Sequence, residues 1–275
     1  MCTGTGACYF PLRAVLVLVK ASRPYYKFLL IPLLVFTNLA CSESPMQRAE
    51  KHMQQGQLYY EEGNAEKARV EVKNAVDIYP RNGKSWFLLG LIYEQLGKWR
   101  EALAAYGKAV EIDPGHSEAS LKAGQLYLRG GFPDSALEMA ESVLVSEPDN
   151  VKASMIQASA YMSKGKAEQA VLIAEQLIEL VPGYSDAVVL LALYYNNNGK
   201  PARAIALLDE GIDVNPGNTR LLYLQARVLS SAGKMGRAAD LVGDLISLEP
   251  ENPEYRIWLA AIRSKQGREL DARTI

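Results

Sequence analysis

Cysteine is nearly missing from this chain. Of 275 residues only Cys2, Cys8 and Cys41 carry a thiol, so no disulfide can staple anything beyond residue 41, and that long remainder has to be held by packing. Histidine is scarcer still. His52 and His116 stand alone, neither with a cysteine or second histidine at metal-ligand spacing, which predicts surface or capping roles and no metal. An excess of charge of either sign is also lacking: 30 Lys and Arg against 31 Asp and Glu leave a net charge of −1, without the basic footprint that a phosphate backbone requires. Nucleic acid is therefore not an expected partner. No phosphate-cradling loop followed by lysine and Ser or Thr occurs, the Gly4 to Gly6 stretch being the nearest approach. Carboxylate pairs such as Glu61-Glu62 sit beside a turn, where solvation explains them. With no catalytic constellation, the expectation is a non-enzyme with no cofactor. Long apolar runs are absent too. Phe28 to Ala40 is too short to span a bilayer comfortably, and the longer stretch Phe10 to Ala40 is interrupted by Lys20, Arg23 and Lys27, which are costly inside one.

What the chain does have is a period. Pro80, Pro114, Pro148, Pro182, Pro216 and Pro250 follow one another at 34-residue intervals, the signature of a solenoid. Units counted from 31 residues before each proline begin at Ala49, Gly83, Ser117, Val151, Ser185 and Thr219, with an incomplete seventh from Pro253. Position 15 is then glycine in every unit (Gly63, Gly97, Gly131, Gly165, Gly199, Gly233, Gly267), and position 20 is alanine in every unit, from Ala68 and Ala102 to Ala272. Position 8 is always Gly or Ala, from Gly56 and Gly90 to Ala226 and Ala260, so two small residues per unit let two helices cross closely. The glycine is suited to the left-handed residue that ends helix A, and the proline cannot continue helix B. Asn82, Ser117, Asn150, Ser185, Asn218 and Asn252 then stand where they are expected to N-cap the next helix A.

The second unit carries Trp86, Leu89, Gly90, Tyr93, Ala102, Tyr106, Ala109 and Pro114, and by these residues the chain resembles the tetratricopeptide repeat family over residues 49–275. The other units are looser, keeping Tyr59, Tyr127, Tyr161 and Tyr195 without the tryptophan. The resemblance implies an all-α, right-handed superhelical solenoid of helix-turn-helix repeats, six full plus one partial. It also implies an interaction scaffold whose helices A line a groove with positions 2, 5, 9, 12 and 13. Position 5 reads Met53, Phe87, Leu121, Met155, Val189, Tyr223 and Ile257; position 9 reads Gln57, Leu91, Gln125, Ser159, Leu193, Arg227 and Ala261. The family's carboxylate clamp needs Lys and Asn where this chain has Met53 and Gln57, so that mode is not expected. An apolar stripe of this kind suits the face of a partner helix or an extended segment with alternate apolar side chains; the other reading of position 5 is packing on the adjacent repeat. The run Tyr194 to Asn198 reads either as a peptide or glycan contact or as a core tyrosine followed by a polar helix end. Trp86 reads as a packing residue, and Trp99 and Trp258 are left open.

Residues 1–41 resemble a bacterial lipoprotein leader: basic residues, a short apolar core, small residues, then Cys41 and the polar Ser42, Glu43 and Ser44. The resemblance makes Asn38-Leu39-Ala40-Cys41 the processing box and Cys41 the lipidated residue, although Asn38 stands where an aliphatic residue is usual. The alternatives are a secreted protein or an inner-membrane anchor. Translation starting near Val19 would give a leader of ordinary size. Residues 42–48 then form a short linker. The combined expectation is a protein-binding scaffold anchored through Cys41 at the outer membrane of a Gram-negative cell and facing the periplasm, the runner-up being an assembly factor of an envelope secretion or polysaccharide-export complex. The seventh unit reaches Ile275 only eight residues after Gly267, with no polar cap. The expectation is an N-terminal part of a longer repeat protein, the alternative a frayed end behind the sixth repeat.

Overall fold

A computed structural model of the protein describes residues 43–267; Cys41, the whole leader and Ala272 lie outside the described residues. The chain divides into two compact units, Met1–Gln47 and Arg48–Ile275. In the first, Ser44 Oγ accepts from the Gln47 N–H at 3.2 Å while Gln47 Oε1 accepts from the Ser44 N–H at 2.9 Å. This reciprocal capping box opens helix α1, Pro45–Glu61, whose first turn falls in the segment read as linker.

In the second unit every described element is helical. The A helices are the odd-numbered ones: α1, α3 (Gly83–Gln95), α5 (Ser117–Arg129), α7 (Val151–Ser163), α9 (Ser185–Asn197), α11 (Thr219–Ser231) and α13 (Pro253–Lys265). The B helices alternate with them: α2 (Ala65–Ile78), α4 (Trp99–Ile112), α6 (Pro133–Ser146), α8 (Ala167–Leu180), α10 (Pro201–Val214) and α12 (Met235–Leu248). From α2 onward each helix packs on the next in sequence, and α7 also touches α5 and α9, as α9 touches α11. This is the all-α solenoid of helix-turn-helix repeats that the 34-residue period predicts.

The turn between A and B is the same each time. The glycine at position 15 has φ between 70° and 78° at Gly63, Gly97, Gly131, Gly165, Gly199, Gly233 and Gly267. In the third repeat the Gly131 N–H reaches Leu128 O at 3.1 Å and the Phe132 N–H reaches Tyr127 O at 2.9 Å, the paired bonds of a Schellman motif. Between repeats, Asn82, Asn150, Asn218 and Asn252 cap the A helices with their side-chain oxygens. Two junctions differ from the sequence expectation. Ser117 and Ser185 are the first helical residues, not caps. His116 caps α5, its Nδ1 accepting from the Ala119 N–H at 3.3 Å. Tyr184 precedes α9 without a side-chain cap. The displaced serines tie repeats together instead: Ser117 Oγ donates to Glu147, and Ser185 Oγ accepts from Asn218 Nδ2 at 2.8 Å.

Small residues set the spacing of the pairs. The position-20 alanines Ala68, Ala102, Ala136, Ala170, Ala204 and Ala238 are all fully buried. In the first two pairs position 8 faces position 24, Gly56 against Val72 and Gly90 against Tyr106, and a Cβ built on Gly90 would strike the ring of the buried Tyr106. Tyr106 OH donates to Glu94 Oε2 at 2.6 Å, and Lys122 Nζ from the next repeat reaches the same oxygen at 2.7 Å. Burial, then the Glu94 carboxylate, pushes the Tyr106 phenol far above its ordinary range, so it stays a neutral donor. Comparable carboxylates bridge later repeats: Glu175 takes Tyr195 OH at 2.9 Å and Arg203 at 3.4 Å, and Asp209 takes Gln225 and, at 3.0 Å, Arg237.

Candidate protein-binding groove

The A helices place their exposed residues on one side of the second unit, where three open depressions follow one another in chain order. The first, about 670 Å³, is formed by α1, α3 and α5 around Met53, Gln57, Phe87 and Leu91. The next, about 660 Å³, lies along α5, α7 and α9, with Gln125, Met155, Ser159, Val189 and Leu193 in its wall. The third, about 620 Å³, is bounded by α9, α11 and α13 and contains Leu193, Tyr223, Arg227, Tyr255 and Trp258. Every position-5 and position-9 candidate from the first six repeats lines one of them, with one exception. Leu121 is 8 % exposed and packs into the core of the third and fourth repeats. Val189 is comparably buried and shows only an edge, whereas Leu193 at 40 % exposure is shared by both C-terminal depressions.

The three differ in character. Phe87 packs at a tilt against the His116 ring at 4.6 Å and the Tyr106 ring at 5.7 Å, which fixes the apolar floor of the first depression. Gln57 donates to Glu61 Oε1 at 2.7 Å, leaving its rim polar and partly acidic. In the second, Arg220 is paired with Asp186 and so brings little net charge. The third is aromatic. The Tyr223 and Trp258 rings lie 5.3 Å apart, Tyr255 is 6.4 Å from Tyr223, and the Arg227 guanidinium sits 5.8 Å from the Tyr223 ring centre. Tyr255 OH donates to Glu249 at 3.0 Å; burial and this carboxylate raise the phenol's pKa. Neither Tyr255 nor Trp258 was among the sequence-derived groove candidates, because they occupy positions 3 and 6 of the partial seventh unit and line the wall only through the close approach of α13 to α11.

Other candidates resolve differently. Tyr195 is buried with its hydroxyl on Glu175, whereas Tyr194, Asn197 and Asn198 line a further depression of about 930 Å³ beside the Gly165 and Gly199 turns. Trp86 Nε1–H donates to Pro80 O at 2.8 Å. Trp99 is 44 % exposed under the Arg129 guanidinium, which stands 4.4 Å from its ring. His52 Nδ1 lies 2.7 Å from Glu71. Among the described residues no group of three His, Cys, Asp or Glu is placed to hold a metal ion, and no helix is long and apolar enough to cross a membrane.

Comparison with known proteins agrees with this geometry. Models of the tetratricopeptide repeat match residues 83–116, 121–185 and 161–228. No curated protein matches the sequence. Solved structures with the same fold include a tetratricopeptide repeat protein from Parabacteroides merdae, with TM-score 0.68 at 19 % identity over 82 % of this chain and 90 % of that one. PilW, described as a widely conserved type IV pilus biogenesis factor, superposes with TM-score 0.65 at 18 % identity over 78 % of this chain and 99 % of its own. Pseudomonas aeruginosa PilF does so with TM-score 0.59 at 18 % identity over 80 % of this chain and 100 % of its own. At such identities the likeness is one of fold.

Proposed function

The chain belongs to the tetratricopeptide repeat family, and from that premise we propose that it is a non-enzymatic scaffold which holds a segment of a partner protein along its A-helix side. The observation that carries this reading is the alignment of three depressions along that side, lined by candidates from six consecutive repeats. Apolar residues such as Met53, Leu91, Met155 and Leu193 alternate with the amides Gln57 and Gln125 and the hydroxyl of Ser159, so the surface suits an amphipathic segment better than a highly charged one. The aromatic group Tyr223, Tyr255 and Trp258 supplies the kind of rigid, large contact residues that dominate binding energy at interfaces. A photo-crosslinking residue placed at 193 or 223 is expected to capture the partner in cells. The same residue at Val145, which is 86 % exposed on α6, is expected not to. Capture from 145 alone sinks the reading.

The place of action is a bacterial cell envelope, with anchoring through lipidated Cys41. This rests on the order of short apolar core, small residues and Cys41 in the sequence. With Cys41→Ala, the protein should lose a metabolic lipid label and leave the membrane fraction, or stay as an unprocessed precursor; label retained on the variant contradicts the anchor. An assembly factor for an envelope complex is the second reading, favoured by the fold that the chain shares with a pilus biogenesis factor. Crosslinking separates the two, since one stoichiometric subunit of a channel supports assembly and a varied set of exported clients supports a general scaffold.

A further inference from the structure

The A–B turns and the B helices of the later repeats divide their charge by position within the repeat. At the A–B turns of the later repeats the side chains are cationic: Lys166, Lys200 and Lys234 occupy the same place in successive units, with Glu168 as the acidic neighbour on α8. Along the bodies of the B helices the charge is reversed. Residues 170–180, 204–214 and 238–248 contain no lysine or arginine, while Glu179, Glu210, Asp213, Asp240 and Asp244 are exposed there. The arginines near the turns are already engaged, Arg203 by Glu175 and Arg237 by Asp209. Among the described residues the three lysines and five carboxylates have no ion-pair partner, although Lys166 Nζ also lies 5.7 Å from the Tyr161 ring.

This arrangement runs against what each helix would favour alone. Lys166, Lys200 and Lys234 are the N-cap residues of α8, α10 and α12, and none makes a side-chain capping bond. Lysine is a poor N-cap, and its charge stands at the positive pole of the helix dipole. At the opposite pole Glu179 and Asp213 fall in the last turns of α8 and α10, where no basic residue is present. The same two violations recur in consecutive repeats, so a chance surface is a poor explanation, and local rules are broken where a surface serves another purpose. The lysines recur at intervals of 34 residues, as do Glu179 with Asp213 and Glu210 with Asp244, so lysines and carboxylates share one spacing.

We propose that the two rows are the halves of one self-complementary interface: the lysine-bearing turns of one copy lie on the acidic B-helix side of a second copy. Identical spacing keeps each lysine opposite carboxylates along the length of the contact, which an unrelated partner would have to reproduce. Leu172, 58 % exposed on α8, gives the acidic side an apolar centre. The contact is made by the A–B turns and the B helices; Lys166 also borders the depression that holds Leu193 and Tyr194, so the two surfaces adjoin there.

The test uses the full chain purified in a non-ionic detergent and sedimentation equilibrium at about 50 and about 500 mM salt, where screening lengths differ several-fold. The unmodified chain should self-associate at low salt and dissociate at least about tenfold more readily at high salt. Two charge-reversed forms are needed, Lys166→Glu with Lys200→Glu and Lys234→Glu, and Glu179→Lys with Glu210→Lys and Asp240→Lys. Each should remain monomeric alone, while an equimolar mixture of the two should associate, because each then offers the face the other lacks. Circular dichroism melts check folding; if either triple form fails to fold, the single pair Lys200→Glu and Glu210→Lys replaces it. A chain that is monomeric to about 100 µM at low salt, an association indifferent to both reversals, or a mixture that fails to recover it overturns the proposal.

Discussion

Glycine does two unrelated jobs in this chain, and the difference can be measured. Gly131 has φ +78° and nothing within 4 Å of where a Cβ would stand, so any substitution there is penalised by the backbone alone. Gly90 lies inside a helix, and its missing Cβ is the room that Tyr106 occupies. We expect Gly131→Ala to cost about 1–2 kcal/mol and Gly131→Val more, whatever surrounds it. Gly90→Ala should cost about 1–3 kcal/mol through overpacking. The cost at Gly90 should be relieved by adding Tyr106→Leu, since the fifth repeat already pairs Ala192 with Leu208 at these positions. The cost at Gly131 should not. Thermal melts of these variants, with Tyr106→Leu alone as the reference, decide, and rescue of both glycines by the same second change would show that the two roles have been confused.

At the scale of the element, the period made the helices legible and the junctions only partly so. A glycine, an alanine and a proline repeated in a fixed frame are enough to place every A–B turn, because each has one backbone or packing consequence that context does not alter. The caps were harder. Ser117 and Ser185 are good N-cap residues by type, but they occupy the first helical position of the common frame, with His116 and Tyr184 at the cap, and each serine finds a partner in the following junction. The shared frame decides such cases, since the A helices from α3 to α13 all open at the first position of their units, and residue type read alone does not reveal it. The same holds for the groove. Positions 5 and 9 lead to the right side of the helix, yet Leu121 turns into the core while Gln125, four residues on, lines the second depression. Trp258 enters the wall from a position the pattern does not mark, through its contact with Tyr223 across α11 and α13. Neighbouring helices settle how far each residue protrudes.

At the scale of the whole molecule, a solenoid without disulfides depends on each repeat for the burial of the next. The Glu94, Glu175 and Asp209 bridges reinforce this by joining groups that lie about one repeat apart in sequence. The same stacking creates the three depressions, because each is walled by helices of more than one repeat. Leu193 stands at the meeting of the two C-terminal depressions, and its 40 % exposure means that changing it disturbs little packing. The most direct measurement is therefore the affinity of the crosslinked partner for Leu193→Glu, set beside Val145→Glu on α6, outside all three depressions. Burying an unpaired carboxylate against an apolar ligand should weaken binding by about tenfold or more for Leu193→Glu. Val145→Glu should bind as the parent does. Equal affinity for all three proteins, or loss confined to Val145→Glu, would contradict the assignment of the A-helix side as the binding surface.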